Sequence, residues 1–453
     1  MTDKLKRPTV ICTLTIFLCF LLTSTGHLSW MYHLLRFVPE KTSDLLTTVA
    51  GYFLQAGGMA VFALLAHTRR IKLRAVFVFS LILYYVCLIP AVLSTSAVGT
   101  AAFGLLSSLL CGVIAGYYLY FLAEKASDNR RAVCFSVGYG AAAVGSWLLS
   151  LIDGGALYYG SGVLVICFAL SALSLAAAFI KLPEGDRIPA EKPKPQKRLS
   201  RLLPLACAAV FVFSVVNNIG FSLFSPNDQN GFSLEFSRLF YAVGLVSAGF
   251  VNEKNRRYGG ICALSALIIP FIVLALRGEP VSSSIFLALS YFAFGFFSVF
   301  RVILFSDIAR QQRQIYLSGM GLLVGRLGDA AGMGIFASVF SNESAAVIAA
   351  AALFVAAVFL FFMLYQTLHA APDTRQKSER QIFEEFAAAH DLSGREREVL
   401  RLVLQDRSNK EISEALYVSE STVKFHIHNL LQKTGCKSRL ALKSTYGTMH
   451  LHE

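Results

Sequence analysis

Long apolar runs alternate with short polar segments over the first 366 residues, and the pattern then changes abruptly. Twelve stretches, roughly residues 9–30, 44–66, 75–95, 97–123, 132–152, 157–180, 202–223, 236–252, 259–276, 283–305, 315–340 and 344–366, approach or exceed the length of about 20 apolar residues that a helix needs to cross a bilayer core. After Tyr365 the apolar positions fall at helical spacing on short polar segments. Pro372-Asp-Thr-Arg-Gln-Lys-Ser-Glu reads as a linker, and Gln381 to His390 as a short amphipathic helix. Ser393, with Glu396 three residues on, forms a capping-box signature ahead of Val399, Leu400, Leu402 and Val403. A second helix over Asn409 to Leu416 is expected to bury Ile412, Ala415 and Leu416. A tight connection, Tyr417-Val418-Ser419, leads to a third over Glu420 to Lys433 that buries Val423, Ile427, Leu430 and Leu431. The pattern predicts an all-α chain with two solvents, lipid for the first part and water for the last.

Composition supports the lipid solvent. The chain is 55% hydrophobic and only 15% charged, with a mean hydropathy of +0.58, whereas a soluble chain carries about a quarter charged residues. The charge of +13 is informative through its distribution, because cytoplasmic loops collect Lys and Arg. Starting inside, the second loop holds Arg69, Arg70, Lys72 and Arg74, the fourth Lys125, Arg130 and Arg131, the eighth Lys254, Arg256 and Arg257, and the tenth Arg310 and Arg313. The sixth, residues 181–201, is the most basic and carries four prolines. The intervening loops are uncharged or nearly neutral. This alternation predicts both termini on the cytoplasmic side of a bacterial cytoplasmic membrane. The opening Lys4-Leu5-Lys6-Arg7 resembles a signal peptide, but no small-x-small cleavage site follows, so an uncleaved first helix is expected. Eight of the nine cysteines lie in apolar runs, none in a C-x-x-C pair, and they read as small hydrophobes. No metal, cofactor or catalytic constellation is indicated.

The long sixth loop divides the spans six and six. The fifth helix of each half is glycine-rich, Gly138-Tyr-Gly140 with Gly145 against Gly319-Met-Gly321 with Gly325. Two six-helix halves joined by a long loop resemble the major facilitator superfamily of transporters, whose halves are parallel repeats. That family's loop signature G-x-x-x-D-R/K-x-G-R/K-R/K is missing from Leu65-Ala-His-Thr-Arg-Arg-Ile-Lys, with a degenerate echo in Gly249-Phe-Val-Asn-Glu253-Lys254-Asn-Arg256-Arg257. The departure bears on transport more than on the fold.

Charges deep in a span usually face a cavity or a partner. Arg326 and Asp329 share a face of the eleventh span at i and i+3. Two readings are open: a mutually neutralising pair that fixes the helix, or the lining of a ligand cavity with Arg326 ready for an anionic group. Asn217, Asn218 and Gln55 are candidates for the same lining or for interhelical hydrogen bonds. Arg301 reads as a side chain snorkelling from the end of the tenth span.

Two short helices joined by a tight turn form the helix-turn-helix motif, whose second helix enters the major groove. Lys424, Lys433, Lys437, Arg439 and Lys443 fall in a segment without acids, concentrating positive potential where phosphates lie. Leu392, Ser393, Arg395, Glu396, Glu398, Val399 and Leu400, then Ser408, Asn409, Lys410, Glu411 and Ile412, then Leu416, Val418, Ser419, Thr422, Val423, Lys424 and His426, and finally Lys433, Gly435 and Arg439 match in register the pattern of LuxR/FixJ/NarL DNA-binding domains, which this tail resembles. Asp406 stands where that pattern usually has Gly, Ser413 where it has Ala, and Thr434 where it has Leu. The resemblance implies that Lys424, Phe425 and His428 face base edges, with Phe425 against a thymine methyl. It implies that Ser421, Thr422, Lys410, Lys433 and Arg439 face phosphates, and that a fourth helix over Ser438 to Tyr446 pairs two copies on two half-sites.

The expected organisation is a first membrane half (1–180), a basic linker (181–201), a second half (202–366), a linker (367–384) and a DNA-binding domain (385–453). The expected function is a membrane-bound one-component transcriptional regulator, in which a small molecule or a membrane state biases the bundle and so controls binding to double-stranded DNA. The alternative is a secondary transporter with an appended tail. An extended stretch from Gln366 to Leu392 would reach roughly 90 Å.

Overall fold

Over Met1–His369 many apolar side chains point outward as well as into the core, while several polar ones are buried, an arrangement that lipid as solvent permits. Val98, Val165, Ile348, Val355 and Leu64 are all exposed, whereas Thr25, Thr100, Ser174, Arg301 and Asp329 are buried. The structure, a computed structural model, describes residues 2–68, 71–180, 197–222, 234–268, 280–339, 343–369 and 379–451. Arg69, Arg70, Asp228, Arg277, Glu279 and most of the linkers expected at 181–201 and 367–384 lie outside them. Every regular element among the described residues is helical, and the chain divides into two units, Met1–His369 and Ala370–Glu453.

The first unit contains α1 (Thr2–Leu34), α2 (Gly51–Thr68, entered through a π-helical stretch Leu45–Ala50), α3 (Leu73–Leu93), α4 (Ala97–Lys125), α5 (Arg131–Ser150) and α6 (Gly162–Ala178). Its second half contains α7 (Lys197–Ser222), α8 (Leu234–Lys254), α9 (Arg256–Ala266), α10 (Pro280–Gln311), α11 (Met320–Val339) and α12 (Glu343–His369). Seven stretches among the described residues, some taking in a flanking turn and some only part of a helix, are individually long and apolar enough to cross a membrane: Pro8–Leu34, Glu40–Thr68, Leu73–Leu93, Ala97–Lys125, Arg131–Ser150, Ala288–Gln311 and Ala351–Leu368. Gly162–Ala178 and Leu202–Asn218 are shorter apolar helices.

The pairings repeat under a shift of six helices. In the first half α1 packs on α5 and α6, and α4 on α2 and α3; in the second α7 packs on α11 and α12, and α10 on α8 and α9. The contacts between halves, α5 on α8 and α2 on α11, exchange under the same shift. Glycines permit the matching close approaches. A Cβ on Gly112 of α4 would lie 2.0 Å from the Gln55 carbonyl oxygen of α2, and one on Gly244 of α8 would lie 2.0 Å from that of Phe292 on α10. The glycines of Gly112-x-x-x-Gly116 are thus occupied inside one chain, Gly116 against Phe62.

The second unit contains α13 (Glu379–Ala389), α14 (Gly394–Leu404), α15 (Asn409–Leu416), α16 (Glu420–Thr434) and α17 (Arg439–Leu451) around its own core of Phe386, Val399, Leu400, Ile412, Val423 and Leu430. Because α12 runs to His369 and α13 begins at Glu379, the 90 Å reach expected for residues 366–392 is corrected. The segment between the two helices can span at most about 36 Å.

Candidate functional site

The caps of the second unit set the direction of each helix. Ser393 N–H donates to Glu396 Oε2 at 2.7 Å while Glu396 N–H donates to Ser393 Oγ at 3.4 Å, completing the expected box. Ser408 and Glu411 form a second box, at 2.7 and 3.3 Å, which the spacing S-x-x-E also encodes. The chain leaves α15 through Tyr417 in the left-handed region (φ 52°), and Ser419 Oγ accepts the Thr422 N–H to start α16. Asp406, in the family's glycine position, is likewise left-handed (φ 63°), a conformation that Asp tolerates better than most side chains.

With Val423, Ile427 and Leu430 buried, α16 turns Ser421, Lys424, Phe425 and His428 outward, and Thr422 lies half-buried beside its cap. Phe425 is 60% exposed, an apolar ring left uncovered on a charged helix. Lys410 is exposed at the start of α15. Lys433 and Arg439 are placed differently, since their donors are engaged within the unit. Lys433 Nζ donates to Glu396 Oε2 at 2.8 Å and to the Asp391 carbonyl at 2.9 Å, tying the end of α16 to the start of α14. Arg439 donates to the Arg407 carbonyl at 3.2 Å and to Asn409 Oδ1. On α15 the buried small residue is Ser413 and not Ala415, because the Ser413 hydroxyl donates to the Lys410 carbonyl at 2.7 Å and hides its polarity.

Burial raises the Glu396 carboxyl, but bonds from Lys433 and Ser393 outweigh it and hold the group below its ordinary 4.5. A carboxyl depressed in the folded state contributes stability above its unfolded pKa, and that contribution fades as pH falls through the folded value. Urea melts of the tail are therefore expected to lose stability below about pH 4.5. Glu396→Gln should start less stable at neutral pH and show a shallower acid slope, and equal slopes would refute the assignment.

The first unit holds a cavity of about 360 Å³ between its halves, and Gln55, Asn217, Asn218, Arg326 and Asp329 all line it. Arg301 and Arg238 line it as well. The expectation that Arg301 snorkels is corrected: α10 continues ten residues beyond it to Gln311, so the side chain is 2% exposed and turns into the bundle. Gly325 on α11 leaves the slot it occupies, since a Cβ there would sit 2.5 Å from Arg301 Nη1. Asp329 Oδ2 accepts from Arg301 Nη1 at 3.3 Å and faces Arg326 Nη1 at 3.6 Å. Arg326 also lies over the Tyr52 ring, 4.1 Å from its centroid. Arg238 Nη1 donates to Ser146 Oγ at 2.7 Å.

At the end of the bundle where α5 and α9 begin and α10 ends, a charged cluster bridges the halves. Arg131, 1% exposed, donates to Asp307 Oδ1 at 2.5 Å and also binds Asp128. Arg256 Nε donates to Asp307 Oδ2 at 2.9 Å and its Nη2 to the Asp128 carbonyl at 2.9 Å. Arg310 donates to the Ala126 carbonyl at 2.9 Å and pairs with Asp128 at 3.3 Å. In the sequence these arginines stand out only as loop charge; the further signal there is an aspartate, Asp128 or Asp307, in each of two otherwise basic segments.

Residues 390–444 match the family described as bacterial regulatory proteins, luxR family. The chain is 49% identical over 55 residues to the spore germination protein GerE of Bacillus subtilis, covering 12% of this chain and 74% of that one. It is 47% identical over 62 residues to the nitrate/nitrite response regulator protein NarP of Escherichia coli, covering 13% of this chain and 29% of that one. The bundle resembles the human organic anion transporter MFSD10 (TM-score 0.58, 18% identity, 82% of this chain and 100% of that one). It also resembles the E. coli fucose:proton symporter FucP (TM-score 0.56, 13% identity, 80% and 99%). At these identities the likeness is one of fold, and the fold is that of the major facilitators.

Proposed function

The chain belongs to the LuxR family of bacterial regulatory proteins through its C-terminal unit, and on that premise we propose that it is a membrane-bound one-component transcriptional regulator. The major-facilitator-like bundle acts as the sensor, and the tail reads double-stranded DNA. The observation that carries this reading is the coexistence, in one chain, of an uncovered recognition helix and a bundle that encloses a cavity lined by arginines and an aspartate among its apolar side chains. Lys424, Phe425 and His428 read base edges; Ser421, Thr422 and Lys410 approach phosphates. Lys433 retains one ammonium proton for the same purpose while it and Arg439 hold the helices in register. Two copies pair through α17, where Leu440 is 79% exposed, and read two half-sites. The alternation of loop charges supports a topology with both Thr2 of α1 and the C-terminal unit on the cytoplasmic side of the membrane.

An effector shifts the bundle only so far as it binds its conformations unequally. Arg326→Ala is expected to abolish the effector response of a chromosomal reporter while the purified tail keeps its operator affinity. A normal response would remove the cavity from the mechanism. The fold itself suits a second reading, a secondary transporter with an appended tail. Uptake of a solute that persists after the tail is deleted would favour it.

A further inference from the structure

Three guanidinium groups line the cavity, from Arg238, Arg301 and Arg326, and Asp329 is the only carboxylate among its described lining residues. Both Arg301 and Arg326 lean on that one group, at 3.3 and 3.6 Å, while Arg238 is bonded to a neutral hydroxyl. A net charge of about two therefore stands at the centre of a bundle solvated by lipid, where an unmatched charge costs several kcal/mol. The hydrogen-bonding balance points the same way. Two guanidinium groups carry five N–H donors each, and one carboxylate offers roughly four acceptor sites. Among the described residues Nε of Arg301 and Nε of Arg326 are buried without a hydrogen-bond partner. Buried donors left over in this way are rare and call for a ligand or a function.

The shape of the site narrows the ligand further. Arg326 lies over the Tyr52 ring and its Nε is buried without a hydrogen-bond partner among the described residues, and a planar oxyanion fits a guanidinium edge with two parallel bonds. Tyr118, Tyr139, Tyr241 and Phe294 line the same space, and their rings suit a flat apolar body by offset or edge-on packing. The volume falls within the range of about 300–1,000 Å³ typical of metabolite pockets.

We propose that the cavity binds a small organic anion with a planar aromatic body, its carboxylate shared by Arg301 and Arg326. This inference rests on the reading of the bundle as an effector-binding sensor and names the class of effector. Asp329 is then an internal stand-in, a carboxylate that occupies the two guanidinium groups until an external one competes for them.

The test is equilibrium binding to the full-length protein in lipid nanodiscs, with naphthoate as probe. Its neutral amide and the corresponding naphthylmethylammonium cation serve as shape-matched controls. Naphthoate is expected to bind saturably and at least about tenfold more tightly than the amide, the factor a charge-assisted pair supplies. The cation should not bind. Arg326→Gln should lose at least about tenfold in naphthoate affinity, and Arg326→Lys, which keeps charge without the planar edge, should lose less. Asp329→Asn should bind naphthoate several-fold more tightly, an effect that a merely structural carboxylate would not produce and that carries the test if Arg326→Gln fails to fold. Equal binding of amide and naphthoate, no saturable naphthoate binding at millimolar concentration, or weaker binding by Asp329→Asn would overturn the proposal. The two readings separate in the reporter strain. Naphthoate that binds the protein without changing reporter output defeats the sensor and leaves the anion site standing. A reporter that answers only to uncharged or cationic compounds defeats the anion site and leaves the sensor.

Discussion

Lys424→Ala is expected to lower operator affinity by about 1–3 kcal/mol per half-site, roughly five- to 150-fold, and by the square of that factor where two copies bind together. The side chain is exposed near the middle of the outward face of α16 and forms no ion pair or hydrogen bond among the described residues. Its removal therefore costs the fold little, within about 0.5 kcal/mol. Gel-shift titration on promoter fragments recovered by genome-wide footprinting of the parent chain gives the affinity, and circular dichroism of the tail confirms that it is folded. The salt dependence decides what Lys424 touches. A base-reading lysine relaxes sequence preference with little change in salt slope, whereas a phosphate-binding one weakens all sequences alike and lowers the slope by about one. Unchanged affinity at every salt concentration would show that α16 does not dock through this face. Phe425→Ala separates from it cleanly, since an apolar contact to a thymine methyl carries no salt dependence.

The helices of the tail were legible because their signals are local. Ser393 and Glu396 lie three residues apart and start α14 as expected, and the observed α15 and α16 start at Asn409 and Glu420, where the helical spacing placed them. The single misplaced position, Ala415 for Ser413, shows the limit of polarity as a guide: a serine whose hydroxyl bonds to its own helix backbone buries as easily as an alanine. In the bundle, apolar length indicated the helices and the glycine patterns hinted at the repeat. The pairings that generate the cavity join residues far apart in sequence, and no periodicity reports them. Arg301 was misread for a related reason. The apolar run at 283–305 ends before its helix does, so a residue at the end of a hydropathy window is three turns inside the actual helix, α10. Asp128 and Asp307 stand in segments read only for their basic charge, and the pairing of Arg131 with Asp307 spans 176 residues that no local pattern connects.

That cluster makes Asp307→Ala the variant with the largest expected effect on the bundle. Arg131 is buried and would keep only Asp128, and Arg256 would lose its carboxylate. Stripping a buried pair of one partner costs about 3–5 kcal/mol, because the other charge stays desolvated. Yet the cost falls on one conformation rather than on the whole fold. Helix packing of α5 on α8 and α2 on α11 holds the halves together along their length, whereas the cluster ties them at one end. Any state in which that end separates lets water reach Arg131 and escapes the penalty, so its population relative to the closed state should rise by roughly 100-fold or more. A single cysteine placed beside Arg131, in a background stripped of native cysteines, should then react with a water-soluble maleimide faster by a similar factor. An unchanged rate would mean the cluster is not a clamp. Asp307→Glu, which keeps a carboxylate for both Arg131 and Arg256, should retain most of the protection if the charge pairing itself is responsible, whereas Asp307→Asn should not. Arg301 and Asp307 lie six residues, about 9 Å, apart on α10. A ligand that draws Arg301 away from Asp329 thus acts on the same rigid helix that carries the clamp. If the bundle signals through this helix, Asp307→Ala should also fix reporter output at one extreme and make it indifferent to effector.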